Sequence, residues 1–144
     1  MAQTAGTVVR VEGLADLRKG LRKFAPDVNK QLRRDMKAVA GIVAASARSQ
    51  MPTRTGAART SVKASTSGNY AQVRAGGARA PYYGWLDFGG TLGPAGGRRN
   101  TQHRPKFKEG RYIYPAIARN RPRIIAASKH AIGKAITEAG MHRG

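Results

Sequence analysis

The chain has 144 residues, enough for one domain with a single core, and sets 27 Lys and Arg against 7 Asp and Glu for a formal net charge of +20. It has no cysteine, which excludes disulfides and thiolate chemistry, and no apolar run of membrane-spanning length. The cationic excess predicts attraction to nucleic acid or to acidic protein surfaces without saying which is recognised.

Met1–Gly6 lacks a basic-then-apolar pattern, so no cleaved secretory signal is expected, and residues 1–6 read as a flexible end. Thr7–Gly13 reads as a short strand ending in a turn. Leu14, Leu17, Leu21 and Phe24 recur at helical spacing, with Arg18, Lys19, Arg22 and Lys23 on the other faces. Pro26 and Asp27 mark the first turn of a second helix. Val28, Leu32, Met36, Val39 and Val43 give it an apolar stripe as far as about Arg48. Its second half, Ala38–Ala47, is built of small residues and is expected to be enclosed between helix and sheet or between subunits.

Met51–Arg59 is rich in breakers and reads as a connection. Thr60–Ala64 and Tyr70–Ala75 read as two strands around Ser67-Gly68-Asn69, and a third extended segment holds Tyr82, Tyr83, Trp85 and Phe88. Residues 90–111 form a long loop, glycine-rich first and basic later, of a length that marks functional or disordered segments. Tyr112–Pro115 leads into a helical region with Ile117, Ile124, Ile125, Ile132 and Ile136 on its apolar side. Pro122 predicts either a kink there or a short helix followed by a longer one, and residues 140–144 are expected to fray. The expected fold is a single α+β domain over 1–144. It has amphipathic N-terminal helices, a small mainly antiparallel sheet with a long basic loop, and a C-terminal helix packed on the sheet.

No pattern for catalysis emerges. Glu12, Asp16, Asp27 and Asp35 fit helix starts and surfaces, and no two carboxylates have acid–base spacing. His103, His130 and His142 fall in a loop, a helix and a tail, which makes a poor metal set. Thr53-Arg54-Thr55-Gly56 is not a phosphate loop, and Gly89-Gly90 and Gly96-Gly97 are not a nucleotide fingerprint. No catalytic, cofactor-binding or metal-binding residue is assigned, and an enzyme is not expected. Asp87, set among aromatics, reads as a buried carboxylate paired with an arginine, because an unpaired buried charge is costly.

Several segments, in order, resemble a family of neck or tail-completion proteins of long-tailed bacteriophages. The amphipathic N-terminal helices are followed by Met51-Pro52-Thr53-Arg54-Thr55-Gly56, with the family's Pro-x-x-Thr-Gly pattern. The hairpin around Gly68 comes next. Pro81-Tyr82-Tyr83-Gly84-Trp85-Leu86-Asp87-Phe88-Gly89-Gly90 then resembles its Tyr-Ala/Gly-x-x-x-Glu-x-Gly-Thr stretch, with Asp87 at the acidic position. Tyr112-Ile113-Tyr114-Pro115-Ala116 is similar to its aromatic-x-x-Pro-Ala start of a C-terminal helix. The likeness spans roughly residues 10 to 138. Two departures stand out: Phe88 separates Asp87 from Gly89, and the segment Thr91–Arg111 is long and very basic.

The resemblance implies a structural virion protein at the head–tail joint, made in the host bacterial cytoplasm, which terminates the tail or forms the adjacent neck layer. It implies a homo-oligomeric ring, six-fold on the tail side, that meets head-closure and tail-tube proteins. Tyr82, Tyr83, Trp85, Asp87 and Phe88 are the expected subunit or partner contacts. Arg98, Arg99, Arg104, Lys106, Lys108 and Arg111 form a docking loop that orders on an acidic neighbour or makes non-specific contact with DNA in the channel. No cofactor or membrane partner is expected. The competing reading is a small basic nucleic-acid-binding protein, ribosome-associated or architectural. It has the charge in its favour, but the chain carries no recognised motif of that class.

Overall fold

Several elements of this chain start or stop at glycine or proline. The computed structural model describes residues 3–52, 56–77, 80–93 and 100–141. In chain order it contains β1 (Gln3–Arg10), α1 (Leu14–Phe24), α2 (Pro26–Ser49), α3 (Ala57–Ser61), β2 (Lys63–Ser67) and β3 (Tyr70–Gly76). These are followed by α4 (Tyr83–Phe88), β4 (Gly90–Leu92), β5 (Gln102–Arg104), α5 (Ile113–Arg119) and α6 (Arg121–Met141). The fold is α+β, as expected.

The sheet is antiparallel in the order β1-β3-β2. Ala71, Val73 and Ala75 alternate along the central strand and have no exposure. They share one cluster with Val39, Ala40, Val43, Ala44 and Ala47 of α2. Alanines on both sides of that contact let a helix lie close to the strand. Val8 is the extra residue of a bulge, since Thr7 pairs with Gln72 and Val9 with Ala71. The bulge lets consecutive valines both reach apolar clusters, which a regular pleat would prevent.

The β2–β3 turn does a second job. Gly68 takes a positive φ of 51°, and the neighbouring Asn69 reaches α1. Its Oδ1 accepts from the Ala15 amide at 2.7 Å, and its carbonyl accepts from the Val11 amide at 2.7 Å. No side chain next to α1 caps its N-terminus, so the turn supplies an acceptor for one of its open N–H groups.

α2 divides the core in two. Val28, Leu32 and Met36 of its first half pack with Leu14 and Leu21 of α1 and with Ala131 and Ala135 of α6. The small residues of its second half are enclosed by the sheet together with Tyr83, Leu86, Ile113 and Ala116. The sequence left open whether helix and sheet or another subunit would cover that half; within the chain, helix and sheet do. α6 packs on α2 and also touches β1, so the helix laid across most of the sheet is α2 itself.

Several boundaries differ from expectation. β1 begins at Gln3 rather than Thr7, because β3 is long enough to pair with it from Gly76 back to Tyr70. Residues 57–61 are a short helix, not the end of a connection running into a strand. The Thr60 hydroxyl donates to the Gly56 carbonyl and the Ser61 hydroxyl to the Ala58 carbonyl, both at 2.7 Å, while Ser61 Oγ accepts from the Gly76 amide at 3.0 Å. Within 90–111, read as loop, β4 pairs antiparallel with β5. Pro122 resolves into a short helix followed by a longer one, with Pro115 near the start of α5 and Pro122 at the second position of α6.

Leu32→Ala removes a side chain with 1 % exposure at the point where three helices meet. It is expected to lower unfolding free energy by roughly 2–5 kcal/mol in urea titrations. Lys37→Ala, on the exposed face of the same helix, should stay within about 0.5 kcal/mol of the parent.

Candidate functional site

The aromatic segment expected to be a strand is a short helix. β3 ends at Gly76, Gly76 and Gly77 both have positive φ, and at the start of the aromatic segment the Tyr83 amide donates to the Ala80 carbonyl at 3.0 Å. Tyr83, Leu86 and Asp87 then stand at helical i, i+3, i+4 spacing and are buried, while Tyr82, Trp85 and Phe88 are half-buried. The spacing was present in the sequence. Strand-favouring aromatics flanked by Pro81 and Gly84 outweighed it.

Asp87 is the organising group. Its side chain has no exposure. Oδ2 accepts from the Tyr83 hydroxyl at 2.9 Å, and Oδ1 accepts from the backbone amides of Arg111 and, at 3.0 Å, Tyr112. The expected arginine partner is present but engaged differently. The Arg111 guanidinium donates to the Asp87 backbone carbonyl at 2.9 Å and to the Pro105 carbonyl, and lies 5.8 Å from the Phe107 ring. The carboxylate is therefore satisfied by N–H and O–H donors, and the cation by carbonyls. Charge-assisted bonds of this kind are stronger than neutral ones. Burial, then the Asp87 charge and the hydrogen bond to it, push the Tyr83 phenol well above its usual range.

Two glycines make room for this arrangement. Gly89 has φ +82°, and a Cβ there would sit 2.0 Å from the Pro105 carbonyl oxygen. Gly110 has φ +78°, and its Cβ would come within 2.8 Å of Asp87 Oδ1. The returning chain thus crosses against α4 at backbone distance, and the Phe107 amide donates to the Phe88 carbonyl at 2.8 Å.

Arg104 completes the cluster. Its guanidinium lies 5.7 Å from the Trp85 ring and donates to the Tyr112 hydroxyl at 3.1 Å. The Trp85 indole N–H donates to the Gly90 carbonyl at 3.1 Å. The Phe88 and Tyr114 rings are 6.1 Å apart. Within this network Phe107 and Tyr114 remain 46 % and 43 % exposed.

The expected site residues therefore separate. Tyr83 and Asp87 are interior; Tyr82, Trp85 and Phe88 border the surface. Arg104 and Arg111 are folded back onto α4, whereas Lys106 and Lys108 are exposed. Arg98 and Arg99 lie outside the described residues. Tyr114 and Phe107 join the aromatic surface although sequence reading did not single them out as contacts. Among the described residues, no three His, Asp or Glu side chains are grouped to hold a metal ion.

A family model described as "Bacteriophage HK97-gp10, putative tail-component" matches residues 15–89, just over half of the chain, from α1 to the glycine that ends α4. No curated protein and no solved structure matches the chain.

Asp87→Ala is expected to cost about 3 kcal/mol or more in chemical denaturation, because it strands two backbone amides and a phenol. Asp87→Asn, which keeps one acceptor oxygen, should cost less. The raised Tyr83 pKa also sets a pH dependence. Its contribution is complete below the unfolded phenol's pKa of about 10 and is lost as pH rises beyond it, since the unfolded state releases the proton first. Stability measured across that alkaline range should fall less steeply for Tyr83→Phe than for the parent.

Proposed function

The chain belongs to the HK97-gp10-like family of bacteriophage tail components, and on that premise we propose that it completes or terminates the tail and joins it to the DNA-filled head. In this reading it is a non-enzymatic ring subunit at the head–tail joint. It contacts its own copies in a six-fold ring and meets head-closure and tail-tube proteins on either side. Closed cyclic symmetry lets a ring cap a tube without continuing it.

The family match carries the assignment to the tail. The neck position is supported by the face built around α4. Tyr82, Trp85, Phe88, Phe107 and Tyr114 make an aromatic surface next to Arg104 and Arg111. Aromatic and arginine side chains are the residues in which interface energy concentrates. Tyr83 and Asp87 hold that face from behind, so their role is to fix its shape. Lys106 and Lys108, with Arg98 and Arg99 of the same basic segment, are suited to an acidic neighbour. Packing a channel with fixed cations would retard DNA passage, which favours protein docking over DNA contact for this segment.

A nonsense mutation in the gene of the parent phage tests the assignment. Full heads beside unattached tails are the expected particles in electron micrographs, and overlong tails would specify termination. Normal infectious particles would overturn the neck reading and favour a basic nucleic-acid-binding protein instead.

A further inference from the structure

A second feature lies away from α4. Arg18 and Arg22 of α1 and Arg33 of α2 line a cavity of about 290 Å³ with Ala15 and the β2–β3 turn residues Thr66, Ser67 and Gly68. Among the described residues, no carboxylate lines it. The ion pair among the described residues, Arg10 with Glu12, is elsewhere. Arg18 Nε is buried without a hydrogen-bond partner among the described residues, and its Nη1 reaches the Gly68 carbonyl only at 3.5 Å. Burial first, then Arg33 and Arg22, lower the Arg18 pKa, as expected where cations converge without a counter-charge.

From this convergence of three guanidinium groups on one concave, acid-free pocket we infer a docking site for an acidic side chain, Glu or Asp, of a partner protein. The ligand chemistry follows from the donors. Guanidinium forks match the two oxygens of a carboxylate, and an anion there relieves the mutual repulsion of the arginines. The partner class follows from shape. A cavity of about 290 Å³ is at the small end of ligand sites and takes a side chain. A DNA backbone is instead tracked by an extended basic groove. The site shares no residue with the α4 face, so either can fail without the other.

The full-length protein should be titrated against fluorescein-labelled hexaglutamate at physiological ionic strength, with anisotropy as the readout. The variant R18Q/R22Q/R33Q removes the pocket's cations. R121Q/R123Q/K129Q removes the same charge from exposed positions of α6. The pocket variant is expected to bind at least about tenfold more weakly than the control variant, given the strength of hydrogen bonds between ions. Equal losses in the two variants would reduce the effect to net charge and overturn the site. A short DNA duplex that shows the pocket-specific loss when hexaglutamate does not would overturn it in favour of nucleic acid. If the triple variant does not fold, R33K retains the charge and loses the fork. Weaker hexaglutamate binding by R33K supports the site, and unchanged binding overturns it.

Discussion

The fold depends on burying one long helix along most of its length. α2 has 24 residues, which at the helical rise is about 36 Å, and its two halves enter different core clusters. The chain meets the constraint with two kinds of surface. Large side chains in the first half fill the space between α1 and α6, where helices stand apart by the width of their side chains. Alanines in the second half bring the sheet close enough for Val73 and Ala75 to lose all exposure. The bulge at Val8 belongs to the same solution, since it lets β1 serve both clusters. Helix packing and sheet packing are thus consecutive along one element, and α2 determines where everything else attaches.

Asp87 plays the corresponding part for the return of the chain. With 7 acidic residues against 27 basic ones, charge alone predicts that a carboxylate placed at zero exposure neutralises a cation. It binds two backbone amides and a phenol instead. Backbone donors fix the path of the chain, whereas a long flexible cation would fix only a charge. Arg111 is left to clamp carbonyls on both sides of the crossing. The aromatic surface outside therefore rests on a polar node inside, and glycine at 89 and 110 is required because no side chain fits between the two strands of backbone.

Charge has a different distribution from structure. Two of the cations, Arg104 and Arg111, are drawn onto α4 by the Tyr112 hydroxyl, the Trp85 ring and backbone carbonyls, although Arg104 Nε is buried without a partner among the described residues. Three others, Arg18, Arg22 and Arg33, line one pocket at the junction of α1, α2 and the β2–β3 turn. The second group repels itself in the isolated chain, and under the docking proposal an acidic neighbour would offset that cost. A net charge of +20 is in this view complementary to partners in the virion, which fits a tail component.

The sequence by itself determined the features governed by neighbouring residues. The apolar spacing from Leu14 to Val43 specified two amphipathic helices. Pro26 set a helix start, and Ser67-Gly68-Asn69 set a hairpin, because helical and strand periodicity and restricted backbone angles act over a few residues; between a kink and a new helix at Pro122 the sequence did not choose. The tertiary structure alone decided what depends on partners far apart in the chain. Tyr83–Phe88 became a helix because it packs against β1 and β3 and its Asp87 binds the backbone at 111 and 112, overriding aromatic strand preference. Ala15 is capped by Asn69, 54 residues away, and Asp87 binds donors 24 and 25 positions later. Arg18, Arg22 and Arg33 are 4 to 15 positions apart in the sequence and line one pocket only because the fold sets α1 and α2 beside the β2–β3 turn. Local steric rules are written in adjacent residues, but hydrogen-bond satisfaction and charge convergence are properties of distance in space, which only the folded chain fixes.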